Sequence, residues 1–250
     1  MILSNDELQR YARHIVLPQV GGVGQRKLKA SKIVVVGAGG IGSAVIPALA
    51  GAGVGGLTII DSDVVELTNL HRQPLYGEKD QGLPKVELAA AFVRRINRSL
   101  DVRAIRERIG PDNAQKLLAG HDLVIDGSDN FATRLAVSDA CVVLGVPLLS
   151  AAAAQFQGQV GLFRSKPCYR CFVGDAFDAD DCDTCAELGV LGAMTGTVGS
   201  FAALIAINSI VGIGKDQAGT LHLFDGEHLS LRSLKIPPDE GCRACGATGP

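Results

Sequence analysis

Six of the seven cysteines in this 250-residue chain form three Cys-x-x-Cys pairs: Cys168/Cys171, Cys182/Cys185 and Cys242/Cys245. Thiolates at that spacing hold a metal ion or run redox chemistry, and two such pairs make a tetrahedral zinc site. By spacing alone, 168/171 with 182/185 reads as a compact zinc ribbon, and the third pair leaves a choice. Cys141 stands in an apolar stretch and reads as a packed side chain.

The second concentration of chemistry is a glycine loop. An apolar β-branched run, Ile33 to Val36, stops at Gly37, and Gly39, Gly40 and Gly42 follow before an alanine-rich segment from Ala44 to Ala52. A buried strand, a tight turn and a helix in that order aim backbone N–H groups and a helix N-terminus at phosphate. Another strand, Leu57-Thr58-Ile59-Ile60, ends in Asp61, placed to accept a ribose hydroxyl. Asp63 and the cluster Asn69-Leu70-His71-Arg72-Gln73 leave the same strand end, and Lys85 lies just inside a helix announced by Gly82-Leu83-Pro84. A later strand ends in Asp126-Gly127-Ser128-Asp129-Asn130. Singly, Arg72 and Lys85 read as solvated charges and Asp129 as a helix N-cap. Together they leave the carboxyl ends of parallel strands and converge on one crevice. Two cations and several carboxylates there suit a triphosphate with Mg²⁺ better than a nicotinamide. An NAD-dependent dehydrogenase is the rival reading, and it leaves Arg72, Lys85, Asp129 and the paired cysteines without roles.

The elements that must position these residues alternate. Strands are expected near 33–37, 57–61, 101–106, 122–126 and 146–150, with helices near 41–52, 84–97, 112–119 and 130–144. This is an α/β chain with a doubly wound, Rossmann-like, mostly parallel sheet, extended by antiparallel strands in 159–163, 221–224 and 229–234. An apolar helix is expected from about Thr195 to Val211. Ser4-x-x-Glu7 is a capping box that starts a helix running to about Val16, with a glycine-rich link, Gly21 to Gly24, before a short second helix. One domain is expected over 1–250: N-terminal helices in 1–30, a nucleotide-binding core in 31–150 and a carrier-binding and zinc region in 151–250. At 47% hydrophobic and 20% charged residues with a net charge of −2, nothing suggests a disordered chain, nucleic-acid binding or an anionic membrane partner. The N-terminus carries no basic-then-apolar leader, and glycines with Asn208 interrupt the apolar 190–214 region, so no membrane span is expected and a cytoplasmic protein is.

The glycine loop, Asp61, Asn69-Leu70-His71-Arg72-Gln73, Pro84-Lys85 and Asp129-Asn130 together resemble the ThiF/MoeB/HesA family, bacterial activating enzymes of ubiquitin-like sulfur-carrier proteins. The likeness is nearest to the molybdopterin-synthase adenylyltransferase branch. It runs from Tyr11-Ala12-Arg13-His14 to Cys242-x-x-Cys245. It implies ATP-dependent adenylation of the C-terminal Gly-Gly carboxylate of a small β-grasp carrier in molybdenum-cofactor or thiamine biosynthesis, with release of pyrophosphate. By that resemblance Gly40 brings backbone close to the phosphates and Asp61 holds the ribose. Asn69, Arg72 and Lys85 contact phosphates, and Asp129 holds Mg²⁺. Gly37, Gly39, Gly42, Asp63, Gln73 and Asn130 complete the nucleotide site. Arg13 matches an arginine donated across a homodimer interface. The resemblance also favours Cys168, Cys171, Cys242 and Cys245 as a structural zinc set. Cys185 falls where some relatives carry a cysteine that bonds the activated carrier tail, and Cys182 departs from the pattern. With no rhodanese-like segment read, sulfur is expected from a separate sulfurtransferase. Two further alternatives are a relative that activates a non-carrier carboxylate and a nucleotide-gated scaffold.

Overall fold

Alternate residues of the β-branched run before the glycine loop feed two different cores. Ile33 and Val35 join one cluster with Val45, Leu49, Val86 and Val198, while Val34 and Val36 join another with Leu118, Val137 and Tyr169. A strand apolar on both faces belongs in the middle of a sheet covered by helices on both sides. The computed structural model, which describes residues 2–174 and 188–246, has that form.

Five parallel strands, β1 (Lys32–Val36), β2 (Gly56–Ile60), β3 (Asp101–Ile105), β4 (Leu123–Asp126) and β5 (Leu148–Ala154), lie in the order β3-β2-β1-β4-β5. Antiparallel β6 (Gln157–Phe163), β7 (Thr220–Asp225) and β8 (Ser230–Lys235) continue the same sheet beyond β5. The order reverses between β1 and β4, which pair from Ile33↔Leu123 to Val36↔Asp126. At such a reversal the loops at the carboxyl ends part, and a crevice opens. The helices are α1 (Asn5–Arg10), α2 (Ala12–Ile15), α3 (Gly21–Ala30), α4 (Gly42–Ala52), α5 (Lys85–Ile96), α6 (Ala114–Leu118), α7 (Phe131–Leu144), α8 (Tyr169–Val173) and α9 (Gly192–Val211). Helices α4, α5 and α9 supply one core, and α6 and α7 the other.

Three expectations are corrected. Gly21 to Gly24 is no link but the first turn of α3. A Cβ on Gly24 would lie 2.7 Å from Val211 Cγ1, so the glycine lets α3 close on the end of α9, where Lys27 Nζ donates to the Val211 carbonyl at 2.7 Å. The N-terminal helix breaks at Tyr11 (φ −98°, ψ 15°), because that ring turns inward over Gly53 and its hydroxyl accepts from Asn97 Nδ2 at 2.9 Å. Finally, α9 spans 20 residues with mean hydropathy 1.6, enough by length and composition for a membrane span. Its glycines do not interrupt it; Gly199 lets it approach the start of α4, and it packs as a core helix against α4, β5 and β6. The Ser4–Glu7 capping box is present as expected.

Candidate nucleotide-binding site

β1 delivers the chain to Gly37, whose φ of +89° is left-handed backbone that favours glycine. The turn then folds so tightly that a Cβ on Gly42 would sit 2.2 Å from the Gly37 carbonyl oxygen. Ala38 is held from both sides. Its N–H donates to Asp61 Oδ2 at 2.7 Å, and its carbonyl accepts from the buried Tyr76 hydroxyl at 2.8 Å. The other Asp61 oxygen accepts from the Asp63 N–H at 2.8 Å. Burial pushes the Asp61 carboxyl up from the ordinary range, against those two backbone donors and the Lys85 charge. Gly40 faces the start of α9, where a Cβ would meet Thr195 Cγ2 at 2.9 Å.

The polar cluster after β2 lies against the same helix end. Asn69 and Gln73 are buried, and Gln73 Nε2 lies 3.5 Å from where a Cβ on Gly39 would be. Half-buried Arg72 donates from Nη1 to the Thr68 carbonyl at 2.9 Å. Thr195 donates to the Gly192 carbonyl at 2.8 Å, and Gly192 fits against the His71 carbonyl, 2.3 Å from its would-be Cβ. Lys85 opens α5. Its side chain is 6% exposed, and Nζ meets Asp63 Oδ2 at 3.2 Å while Asp63 is 62% exposed. A buried ammonium at a helix N-terminus, whose ion-pair partner among the described residues is a carboxylate largely in water, retains positive potential for an anion.

At the end of β4 the side chains divide the work. Asn130 is the N-cap of α7, its Oδ1 accepting from the Thr133 N–H at 2.9 Å, so the alternative of Asp129 as the cap is corrected. Asp129 is exposed beside it. Asp126, fully buried, accepts the Ser128 N–H on Oδ1 at 2.9 Å, and Arg134 donates to the Ser128 carbonyl. Burial pushes the Asp126 carboxyl up and the Arg134 charge opposes it.

Arg13 is exposed on α2 and lies elsewhere. Tyr11 packs on Gly53, and Gln25 ties His14 to the Ala52 carbonyl, all at the C-terminal end of α4. The glycine loop is at the other end of that 11-residue helix, about 16 Å away at 1.5 Å per residue. Arg13 is thus not brought to the crevice of its own chain.

The cysteines resolve differently from their spacing. Cys168, Cys171, Cys242 and Cys245 place their sulfurs within 4.8 Å of one another, with contacts of 3.6 Å (168–242), 3.4 Å (171–245) and 4.0 Å (168–171). Four thiolates at Zn–S distances of about 2.3 Å stand roughly 3.7 Å apart around a tetrahedral ion, so the cluster could hold a metal such as zinc. Arg170, on α8 between two of the ligands, grips Asp139 of α7 through two bonds of 2.6 and 2.7 Å. Lys166 meets Glu240 at 2.8 Å and closes the same junction. Burial pushes the Cys168 and Cys245 thiols up, a cost that a bound cation reverses. Cys141 is buried in the core and is not one of the four clustered thiols. Cys182 and Cys185 lie outside the described residues.

Tyr76 and Thr195 pack on the glycine loop and Arg134 supports the turn at the end of β4, contacts that residue order does not show. The aromatic in the polar run after Gln73 was the one available signal; the others depend on which elements meet.

The chain matches the ThiF family over residues 11–244. It is 42% identical to the sulfur carrier protein adenylyltransferase of Thermus thermophilus, across 97% of this chain and 92% of that one. It is 40% identical to the SAMP-activating enzyme E1 of Haloferax volcanii, across 100% of this chain and 93% of that one. The adenylyltransferase and sulfurtransferase MOCS3 of Aedes aegypti is 42% identical, but the chain spans only 56% of it. Among solved structures, E. coli MccB with MccA-N7isoASN superposes with a TM-score of 0.83 at 22% identity, over 97% of this chain and 76% of that one. That likeness concerns the fold.

Proposed function

The chain belongs to the ThiF family, and from that membership we propose that it adenylates the C-terminal Gly-Gly carboxylate of a small ubiquitin-like sulfur-carrier protein. The observation that carries the reading is the meeting, at one strand-order reversal, of the glycine loop, Asp61, the buried Lys85 and the exposed Asp129. A dehydrogenase explains the first two and leaves the last two idle.

The nucleophile is the carrier's own carboxylate. One of its oxygens bonds to the α-phosphorus of ATP, the bond from that phosphorus to the α–β bridging oxygen breaks, and the electron pair leaves with pyrophosphate. The product is an acyl-adenylate. No proton moves, so the protein needs no general base and contributes position and charge. Backbone N–H groups of the 37–42 turn face the phosphates, and Gly40, with no side chain, lets them approach. Asp61 holds the ribose with the acceptor capacity left after its two backbone bonds. Arg72 and Lys85 stabilise the negative charge that builds on the leaving pyrophosphate, Asn69 and Gln73 line the floor, and Asn130 keeps Asp129 at the mouth by capping α7. The exposed Asp129 carboxylate suits Mg²⁺, which when bound neutralises triphosphate charge.

Since Arg13 is remote from its own crevice, it serves a second copy of the chain, in a homodimer whose two sites each take one arginine. The cysteine cluster holds a zinc ion that is structural, its four ligands leaving no open position. Cys185, if it bonds the activated tail, acts after ATP chemistry; sulfur then comes from a separate sulfurtransferase.

The test is ATP–pyrophosphate exchange with each Gly-Gly carrier from the same cell. Exchange with one carrier, abolished by deleting its terminal glycine, is the expected result. Exchange with none of them, alongside a short peptide or modified-base carboxylate that works, places the chain among relatives with another substrate. NADH binding without exchange sinks the reading.

A further inference from the structure

Directly beneath Asp129 lies a pair of buried charges to which the proposed reaction assigns no role. Asp126, the last residue of β4, is 1% exposed, and Arg134, in the first turns of α7, is 7% exposed. Both act on Ser128: Asp126 Oδ1 accepts its N–H at 2.9 Å, and Arg134 Nη2 donates to its carbonyl. One residue is therefore gripped through both peptide groups that flank its Cα, by side chains from the strand before the turn and the helix after it. Burying a carboxylate and a guanidinium costs more than filling the same space with apolar groups, so stability alone gives no reason for the pair. What the pair supplies is geometry. Two hydrogen bonds restrain the Ser128 backbone, and Asp129, the next residue, is exposed to solvent.

We propose that Asp126 and Arg134 are positioning residues that preorganise the Asp129 carboxylate for the divalent cation accompanying ATP. The inference rests on the reading of Asp129 as that cation's ligand. A carboxylate on an untethered turn loses backbone freedom when the cation binds, whereas a clamped one has lost it on folding. Loosening the clamp then weakens the cation's contribution and leaves nucleotide binding without the cation nearly unchanged. A group that merely holds the fold together shows no such selectivity.

The experiment is calorimetric titration of ATP into the intact protein, in EDTA and at a series of free Mg²⁺ concentrations. D126N keeps shape and an acceptor for the Ser128 N–H while removing the carboxylate charge that Arg134 faces. Because removing one of two neighbouring buried charges can destabilise a fold, D126N/R134Q is run as well, removing both together. In either variant ATP affinity in EDTA should stay within about twofold of wild type, while the Mg²⁺ enhancement falls about tenfold. D129A sets the floor, with the enhancement lost. Wild-type enhancement in folded D126N or D126N/R134Q, with D129A at the floor, overturns the clamp and leaves the reading of Asp129 standing. Equal loss with and without Mg²⁺ makes the pair structural and also overturns the clamp. Full enhancement in D129A removes Asp129 itself, and the clamp with it.

Discussion

At the scale of single residues, the division of labour at the end of β4 separates neighbours that are alike on paper. Asn130 is spent on a helix cap, Asp126 is buried beneath the turn, and Asp129 alone among the three faces solvent. Asp129→Ala should therefore abolish pyrophosphate exchange while changing the melting temperature little, since an exposed side chain with no structural partner contributes within about 0.5 kcal/mol to folding. A folded variant that exchanges within severalfold of wild type would take Asp129 out of the mechanism. Glu7 makes a contrasting case, a residue whose role is wholly structural. Burial raises its carboxyl pKa, but the Lys29 hydrogen bond and charge and the Ser4 backbone donor outweigh that and hold it below 4.5. A carboxyl lowered in the folded state stabilises fully above its unfolded value, and that stability is lost as pH falls through the lowered one. Glu7→Gln should cost roughly 1 kcal/mol at neutral pH, as loss of half a capping box does. The gap to wild type should narrow in urea titrations below pH 4.5. A gap that persists unchanged in acid would show that the carboxylate's charge contributes nothing.

At the scale of elements, the glycine loop packs against the start of α9, a helix distant from it in sequence. Thr195 fills the space that a side chain on Gly40 would need, and Gly192 lets the helix start press on the His71 carbonyl. Gly40→Ala should weaken ATP binding and cost about 1–3 kcal/mol of stability through overpacking. Thr195→Ala in the same chain should recover part of both, because the two side chains compete for one volume. A double-mutant cycle in calorimetry and thermal melting measures this coupling. Strict additivity would mean that the backbone of the loop yields before the threonine is felt.

For the whole molecule, two features concern parts of the chain that are far apart in sequence or from the crevice. The cysteine cluster joins the segment around α8 to the turn at 242–245, so a metal bound there would add its binding energy to folding. Purified protein should contain about one Zn²⁺ per chain. Replacing any of Cys168, Cys171, Cys242 or Cys245 should lower both zinc content and melting temperature, while Cys182 and Cys185 variants keep the metal. Zinc lost from the latter and kept in a Cys242 variant would show that the compact ribbon forms in solution. The second feature is Arg13, at the far end of α4 from its own crevice. If a partner uses it, mixing Arg13→Ala with Lys85→Ala protein should restore about a quarter of wild-type exchange, since heterodimers regain one intact site. No recovery despite demonstrated subunit exchange would confine Arg13 to a local role.

The parallel core could be read from residue order because its signals are local. Ile33 to Val36 is apolar without alternation, Gly37 and Gly42 mark a turn only glycine makes, and Asp61 and Lys85 stand at fixed offsets from strand and helix ends. The glycines of 21–24 and 192–199 misled for the opposite reason. Their lack of a side chain serves contacts with Val211, His71 and α4, which no local pattern contains. Cysteine spacing showed that thiols are paired, but two pairs 74 residues apart meet only because α8 and the C-terminal turn share one junction. The same holds for Tyr76 on Ala38 and for Arg134 on Ser128. Composition and periodicity determine which elements form and where a nucleotide can sit. Which side chains hold that site rigid is decided by tertiary packing, since each such contact joins groups that the chain itself keeps apart.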